Sequence, residues 1–419
     1  RDLPNDPMRS AHLGPIRDFV ERARGRFDNV VVLGIGGSAL GAIAVHSALH
    51  SPLYNLLPAD ERGGPRLFVL DNVDPTLVGS TLEFASKDGG LARTLVVVVS
   101  KSGETAETAA QFLLARRMLI DALGDAHRHN LVAVTDPAKG TLRALCDAEG
   151  YETFPVPDGV GGRFSVLSPV GLLPLALVGV DIAALLDGAQ AMDERCANER
   201  LLDNPAALLA TLLVRLGRER AKHTHVLMPY SNALYLLADW FRQLWAESLG
   251  KRVDVDGNEV FTGFTPVKAL GATDQHSQVQ LYREGPNDKV IGLIGTDAHA
   301  REVSVPTGGG VEALTYLEGA TLSKLLAAEQ RATEYALVAS ERPNFTIRFP
   351  RIDASHVGEF IQLWQVATAY AGRMLGVDAY DQPAVETGKQ ATFGLMGKAG
   401  FGEHLERVNT TLAPTQWTV

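Results

Sequence analysis

A run of small hydroxyl side chains with one lysine, Ser100-Lys101-Ser102-Gly103-Glu104-Thr105, comes directly after the apolar, β-branched stretch Leu95 to Val99. The stretch reads as a strand, the run as a turn and the residues after it as a helix, with Ser102 at the N-cap and Thr105 three residues on. Free backbone N–H groups at the positive end of a helix, ringed by hydroxyls and a cation, make a cradle for phosphate. A capped helix with solvated hydroxyls accounts for the same residues, because Ser and Thr favour caps in any case. Gly34-Ile35-Gly36-Gly37-Ser38, after the buried run Val30 to Leu33, is a second tight turn into a helix. Its Gly34-x-Gly36-x-x-Ala39 spacing, with Asp71 closing the next strand, matches part of a dinucleotide fingerprint. Asp71 follows Gly36 by 35 positions, where about 20 is usual. The doubled glycine before Ser38 better suits a turn that offers N–H and hydroxyl to a ligand. No Gly-Lys-Ser/Thr follows it, which excludes a Walker A loop.

Four further stretches carry groups that could do chemistry. Val160-Gly161-Gly162-Arg163-Phe164-Ser165 sets an arginine after two glycines, where a permissive backbone can bring a guanidinium close to a ligand. A salt-bridged loop arginine reads the same way. Glu247, in Trp240-Phe241-Arg242-Gln243-Leu244-Trp245-Ala246-Glu247-Ser248-Leu249-Gly250-Lys251, falls in the last turn of a helix that Gly250 ends. A carboxylate there opposes the helix dipole. At helical spacing it shares a face with Trp240 and Leu244, so a tuned carboxyl group is one reading and an ion pair with Lys251 at i+4 the other. His276 sits in an unusually polar run, Gly271 to Gln280, with small and amide-bearing neighbours, although a lone histidine is more often structural. Asp381-Gln382-Pro383-Ala384-Val385-Glu386-Thr387-Gly388-Lys389 begins a helix with Pro at N1, which would put Gln382 and Lys389 on one side. A capped surface helix with a solvated lysine competes.

The elements that must position these groups alternate. Strands are expected at Val30 to Leu33, Leu67 to Leu70, Leu95 to Val99 and Leu131 to Thr135, with helices between them, one from about Pro75 and one running to about Leu123. That alternation means a parallel sheet covered on both faces, with ligands beyond the carboxyl ends of the strands. After a helical stretch from about Pro169 to Leu216 the pattern restarts. A strand at His225 to Met228 leads to a long helix capped by Ser231. Strands at Val290 to Ile294 and Phe345 to Ile347 flank a helix from about Leu322 to Ala339. Helices fill the rest, from about His356 to Met374 and beyond Pro383. The fold expected is α/β: a lead-in and first lobe over 1–185, a second lobe over 186–350 and a helical extension over 351–419.

Composition limits the function. A chain of 419 residues is long for one core. A net charge of −10 argues against nucleic-acid partners, which are held by clustered Lys and Arg. Two cysteines, Cys146 and Cys196, make neither a disulfide framework nor a zinc pattern, so a reducing, cytoplasmic compartment is expected. Arg1 to Pro7 has no apolar core of a signal peptide, and the absent initiating Met points to trimming or to an upstream continuation. Val166 to Leu186 is almost wholly apolar, but its prolines, glycines and Asp181 suit a buried helix rather than a membrane span.

Taken together and in order, Gly34 to Ser38, Ser100 to Thr105, Gly161 to Ser165, Glu247-Ser248-x-Gly250-Lys251, Gln275-His276 and Asp381-Gln382-x-x-Val385-Glu386-x-x-Lys389 resemble the glucose-6-phosphate isomerase family. The resemblance spans nearly the whole chain. It implies two sugar-isomerase (SIS), flavodoxin-like, doubly wound parallel-sheet lobes with a C-terminal helical extension, working as a homodimer without cofactor or metal. Ser38 with Gly37, Ser100, Lys101, Ser102 and Thr105 would hold a sugar phosphate. Glu247 would be the base moving a proton between C2 and C1, and Arg163 would stabilise the enediolate. His276, donated by the neighbouring subunit, would open the sugar ring with help from Lys389, and Gln382 would bind hydroxyls. Ala384 and Thr387-Gly388 vary within the last motif. The expected reaction interconverts glucose 6-phosphate and fructose 6-phosphate. A dual phosphoglucose/phosphomannose isomerase and a non-catalytic sugar-phosphate sensor are the rivals, and the sensor would need the phosphate loop but no base.

Overall fold

The computed structural model describes residues 1–87 and 90–412. Contacts gather the chain into two units, residues 1–379 and the segment from Tyr380 onward. In the first unit, in chain order, α1 (Met8–Ala23) precedes β1 (Asn29–Leu33), α2 (Leu40–Leu49), β2 (Arg66–Leu70), α3 (Pro75–Lys87), β3 (Thr94–Val99), α4 (Ala106–Leu123), β4 (Leu131–Thr135), α5 (Thr141–Glu149) and β5 (Glu152–Pro155). The Val-rich strands β1, β3 and β4 are buried along their whole length, as a sheet covered on both faces requires. The five strands pair in parallel in the order β2-β1-β3-β4-β5.

Three helices come next, α6 (Pro169–Leu177), α7 (Ile182–Arg195) and α8 (Pro205–Arg220). Every apolar residue that α6 contributes to the core is nearly inaccessible, and Ser168 caps it by accepting from the Val170 amide. Among the described residues, no helix is long and apolar enough to cross a membrane. The second sheet then forms from β6 (Thr224–Pro229), β9 (Thr265–Lys268), β10 (Lys289–Thr296) and β11 (Asn344–Phe349), all parallel, in the order β11-β10-β6-β9. Between these strands lie α9 (Tyr235–Leu249), the antiparallel ribbon β7 (Lys251–Val253) with β8 (Glu259–Thr262), α10 (Val279–Glu284) and α11 (Leu322–Ala339). In both sheets the first strand has the second on one side and the third and fourth on the other.

The last helix of this unit, α12 (Ala354–Leu375), packs on α7, α8 and α9. Its Trp364 stands edge-on to Trp245 of α9, with ring centroids 5.7 Å apart, and lies tilted against Phe241 at 4.4 Å. His225 of β6 is buried beside them. Its Nδ1 accepts from the Trp245 indole at 3.0 Å, and burial holds the ring neutral, its pKa lowered to about 3. This aromatic layer ties α9 to the sheet behind it and to α12, so the end of α9 is set by the core. The second unit holds α13 (Val385–Leu395) and α14 (Gly402–Thr411), packed together with Phe393 and Phe401 5.1 Å apart.

The structure departs from the sequence reading at the ends of elements. The N-cap of α4 is Thr105 rather than Ser102, because the hydroxyl-rich run makes one more turn before the helix starts. A 3-10 turn, Asn232–Leu234, separates Ser231 from α9, and Ser231 makes no side-chain cap. α13 starts at Val385 after Ala384, so Pro383 precedes the cap and Gln382 lies outside the helix that carries Lys389. β5, β7, β8 and β9 were not expected. They are three or four residues long and partly exposed, so none carries a continuous apolar run.

Candidate active site

The strand order reverses at β1, whose neighbours are β2 on one side and β3 on the other. Crevices of this kind, beyond the carboxyl ends of parallel strands, receive ligands. The turn after β1 is Gly34 to Ser38, and the turn after β3 is Ser100 to Thr105. Both predicted binding turns therefore leave adjacent strands at the same end of the sheet.

The Ser100 turn is shaped from within and from behind. Ser100 is buried, and its hydroxyl accepts the Gly103 amide at 3.0 Å, while Ser102 Oγ accepts from the Glu104 amide at 3.2 Å. The carbonyl of Lys101 accepts from Thr135 Oγ1 and from the Asp136 amide, and that of Ser102 from the Thr141 amide. Gly103 has φ +75°, and a Cβ there would lie 2.4 Å from the Leu142 nitrogen, so the turn needs glycine. These bonds engage backbone and the hydroxyls of Ser100 and Ser102, while Lys101 and Ser102 stay exposed and Thr105 half-buried.

The Gly34 turn meets the stretch that carries Arg163. A Cβ on Gly37 would fall 2.2 Å from the Gly162 carbonyl carbon and 2.6 Å from the Arg163 nitrogen. The two backbones touch, which is why residue 37 must be glycine. Arg163 is 2 % exposed. Its Nε donates to Ser248 Oγ at 2.7 Å and its Nη2 to the Ala379 carbonyl at 2.6 Å. Its Nη1 lies 3.6 Å from Glu247 Oε2. Burying a guanidinium is costly unless it is bonded and paired, and all three nitrogens here face oxygen.

Glu247 sits in the last turn of α9, with its side chain a third exposed. The Gln243 side-chain amide, one turn back, donates to its Oε1 at 3.2 Å. Gln243 in turn lies over the Gly34 turn, 3.0 Å from where a Gly36 Cβ would stand. Lys251 Nζ donates to the Glu247 main-chain carbonyl at 2.9 Å, which satisfies an orphan acceptor of the helix end. A carboxylate thus meets a fixed cation on one side and open space on the other. That arrangement can accept a proton from a carbon acid and stabilise the oxyanion that results.

The structure brings together Gly37, Ser38, Arg163 and Glu247, and sets the Ser100 turn on the neighbouring strand. His276 lies elsewhere, exposed, at the end of a 3-10 turn after β9. The residue before it is anchored: Gln275 accepts from Tyr230 Oη and donates to Glu329, both at 2.8 Å. Burial pushes the Tyr230 hydroxyl up to about 12, so it remains a donor. In the second unit Gln382 is half-buried, and Lys389 is exposed and bonded to Glu386 at 2.7 Å. Sequence reasoning missed Gln243 and Ser248. Their positions, one turn before Glu247 and directly after it, are the signal that could have found them. Both cysteines are buried free thiols, and among the described residues no cluster of His, Cys, Asp and Glu could hold a metal ion.

Parallel α/β sheets, with a glycine turn and a hydroxyl-rich turn leaving neighbouring strands and a buried arginine paired with a part-exposed carboxylate beside the glycine turn, define the class: an α/β protein with a crevice at the carboxyl ends of its strands. The particular family emerges from comparison with known proteins. The chain belongs to the phosphoglucose isomerase family, whose description, "Phosphoglucose isomerase", matches residues 16–399. It is 46% identical over 397 residues to a glucose-6-phosphate isomerase of Carboxydothermus hydrogenoformans, covering 94% of this chain and 84% of that one. A hypothetical protein from Thermus thermophilus, of solved structure, matches with TM-score 0.83 and 41% identity, over 94% of this chain and 89% of that one. A glucose-6-phosphate isomerase structure from Chlamydia trachomatis matches with TM-score 0.81 and 26% identity, over 97% and 77%.

Proposed function

We propose that this chain interconverts glucose 6-phosphate and fructose 6-phosphate through an enediolate, with Glu247 as the proton carrier. The observation that carries the reading is the Arg163–Glu247 pair at 3.6 Å, held against the glycine turn in a chain of this family. The phosphate is held by Ser38 and by Lys101, Ser102 and Thr105, with Ser100 shaping their turn and backbone N–H groups adding donors. Bound there, it tethers the sugar so that binding energy remote from the reacting carbons serves the chemistry. Glu247 takes the proton from C2 and returns it to C1. Arg163, charged at any working pH, stabilises the negative charge that grows on the oxygens. By family resemblance His276 opens the ring from the neighbouring subunit of a homodimer, Lys389 assists and Gln382 binds hydroxyls. Exposure of His276 in the single chain is compatible with that arrangement.

The strand order β2-β1-β3-β4-β5 supports a flavodoxin-like, doubly wound first lobe. The matching placement of β9, β6, β10 and β11 supports a second lobe of the same kind, with lobes over 1–185 and 186–350 and an extension over 351–419. The buried free thiols fit a cytoplasmic protein. A coupled assay on fructose 6-phosphate in the presence of a metal chelator tests the activity. Full turnover is expected, with little on mannose 6-phosphate. Binding of fructose 6-phosphate without turnover would make the protein a sensor.

A further inference from the structure

Ser248 follows Glu247 on α9, so the helix turns its side chain to a different direction, into the interior. It is fully buried, at 0% exposure. A hydroxyl buried in a helix costs free energy unless it is bonded, and serine is not a strong helix former. The hydrogen-bond partner of Ser248 Oγ is Arg163 Nε, at 2.7 Å. Together with the 2.6 Å bond from Nη2 to the Ala379 carbonyl, it holds the edge of the guanidinium that Nε and Nη2 form. A planar group held along one edge has little freedom to rotate. The remaining nitrogen, Nη1, is then turned toward Glu247 Oε2, 3.6 Å away. Consecutive residues of one helix end divide the work: residue 248 orients the cation and residue 247 faces the space where charge would move.

We infer that Ser248 is a positioning residue for the isomerisation, setting the Arg163 guanidinium beside Glu247 through its hydroxyl. The inference rests on the reading of Arg163 as the group that stabilises the enediolate. Loss of the hydroxyl removes the bond on Nε and loosens the orientation of the guanidinium beside Glu247. The test is steady-state kinetics on fructose 6-phosphate with Ser248→Ala and Ser248→Thr, and with Ser248→Ala placed in an Arg163→Lys background. Ser248→Ala is expected to lower kcat about ten- to a hundredfold, as misplacement of a catalytic group does, and to leave KM within about threefold. Ser248→Thr keeps the hydroxyl and retains kcat within about threefold. In the Arg163→Lys background, which has no Nε–H, Ser248→Ala adds no further loss, because two groups acting as one unit are not additive. Should Ser248→Ala fail to fold, Ser248→Cys, close in size but a poor acceptor, takes its place with the same expected loss. A wild-type kcat for the variant lacking the hydroxyl, or an equal loss in both backgrounds, overturns the inference. A wild-type kcat for Arg163→Lys alone instead removes the enediolate reading on which it rests.

Discussion

At the scale of single residues, Glu247 carries the most specific expectation. Glu247→Gln preserves shape and the bond from Gln243 but removes the proton acceptor. Turnover should fall about a hundred- to ten-thousandfold, the range that general-base groups supply, while fructose 6-phosphate still binds. Kinetics paired with titration calorimetry would measure both, and near-normal turnover would mean that another group carries the proton. Glu247 was legible in the sequence because it breaks a local rule, standing as a carboxylate at the negative end of a helix with Trp240 and Leu244 on its buried face. Arg163 was legible through its two glycines. Gln243 and Ser248 were not, because standing next to Glu247 in the helix marks them as neighbours of the carboxylate without saying what they bond. The role of Ser248 is a bond to a residue 85 positions away, and that of Gln243 depends on the turn after β1 lying beneath it.

Elements were readable to the extent that burial leaves a continuous mark. The all-buried strands β1, β3 and β4 are runs of Val, Leu and Ala, and α4, α11 and α12 start and stop within a few residues of where periodicity puts them. The short strands β5, β7, β8 and β9 escaped because partly exposed strands need not be apolar. β9 carries Pro266, which a strand with a free edge tolerates. The same logic explains the misplaced cap: Ser102 and Thr105 have equal claims on sequence, and the backbone bonds to β4 and to the start of α5 decide between them. What no element pattern reports is how two turns from different parts of the chain meet. Gly37 and Gly162 meet backbone to backbone, so Gly37→Ala forces the Arg163 stretch away by more than a side chain can absorb. The variant should lose about 1–3 kcal/mol of stability, as overpacked sites do, measured by urea unfolding. Its kcat should fall with Arg163 displaced. A fully active and equally stable variant would show that the two turns do not need to touch.

At the scale of the whole molecule, the two sheets place their first four strands alike, and α9 of the second part packs on α2 of the first. That contact is what carries Glu247 to the glycine turn. His276 leaves β9 on an exposed turn with Gln275 fixed behind it, a geometry suited to presenting a ring outward. If the proposed homodimer is two-fold symmetric, each site takes Glu247 from one copy and His276 from the other. Subunits with Glu247→Gln and subunits with His276→Asn, each inactive alone, then complement when unfolded together and refolded. In a hybrid, one site combines both lesions and the other has neither. Equal mixing makes about half the dimers hybrids, each with one intact site of two, so activity should return to about a quarter of wild type. If His276 instead served the Glu247 of its own chain, every hybrid site would carry one lesion and mixing would recover nothing. The yield of activity on mixing therefore decides whether His276 serves the Glu247 of its own chain or that of the other copy, without any need to see the dimer.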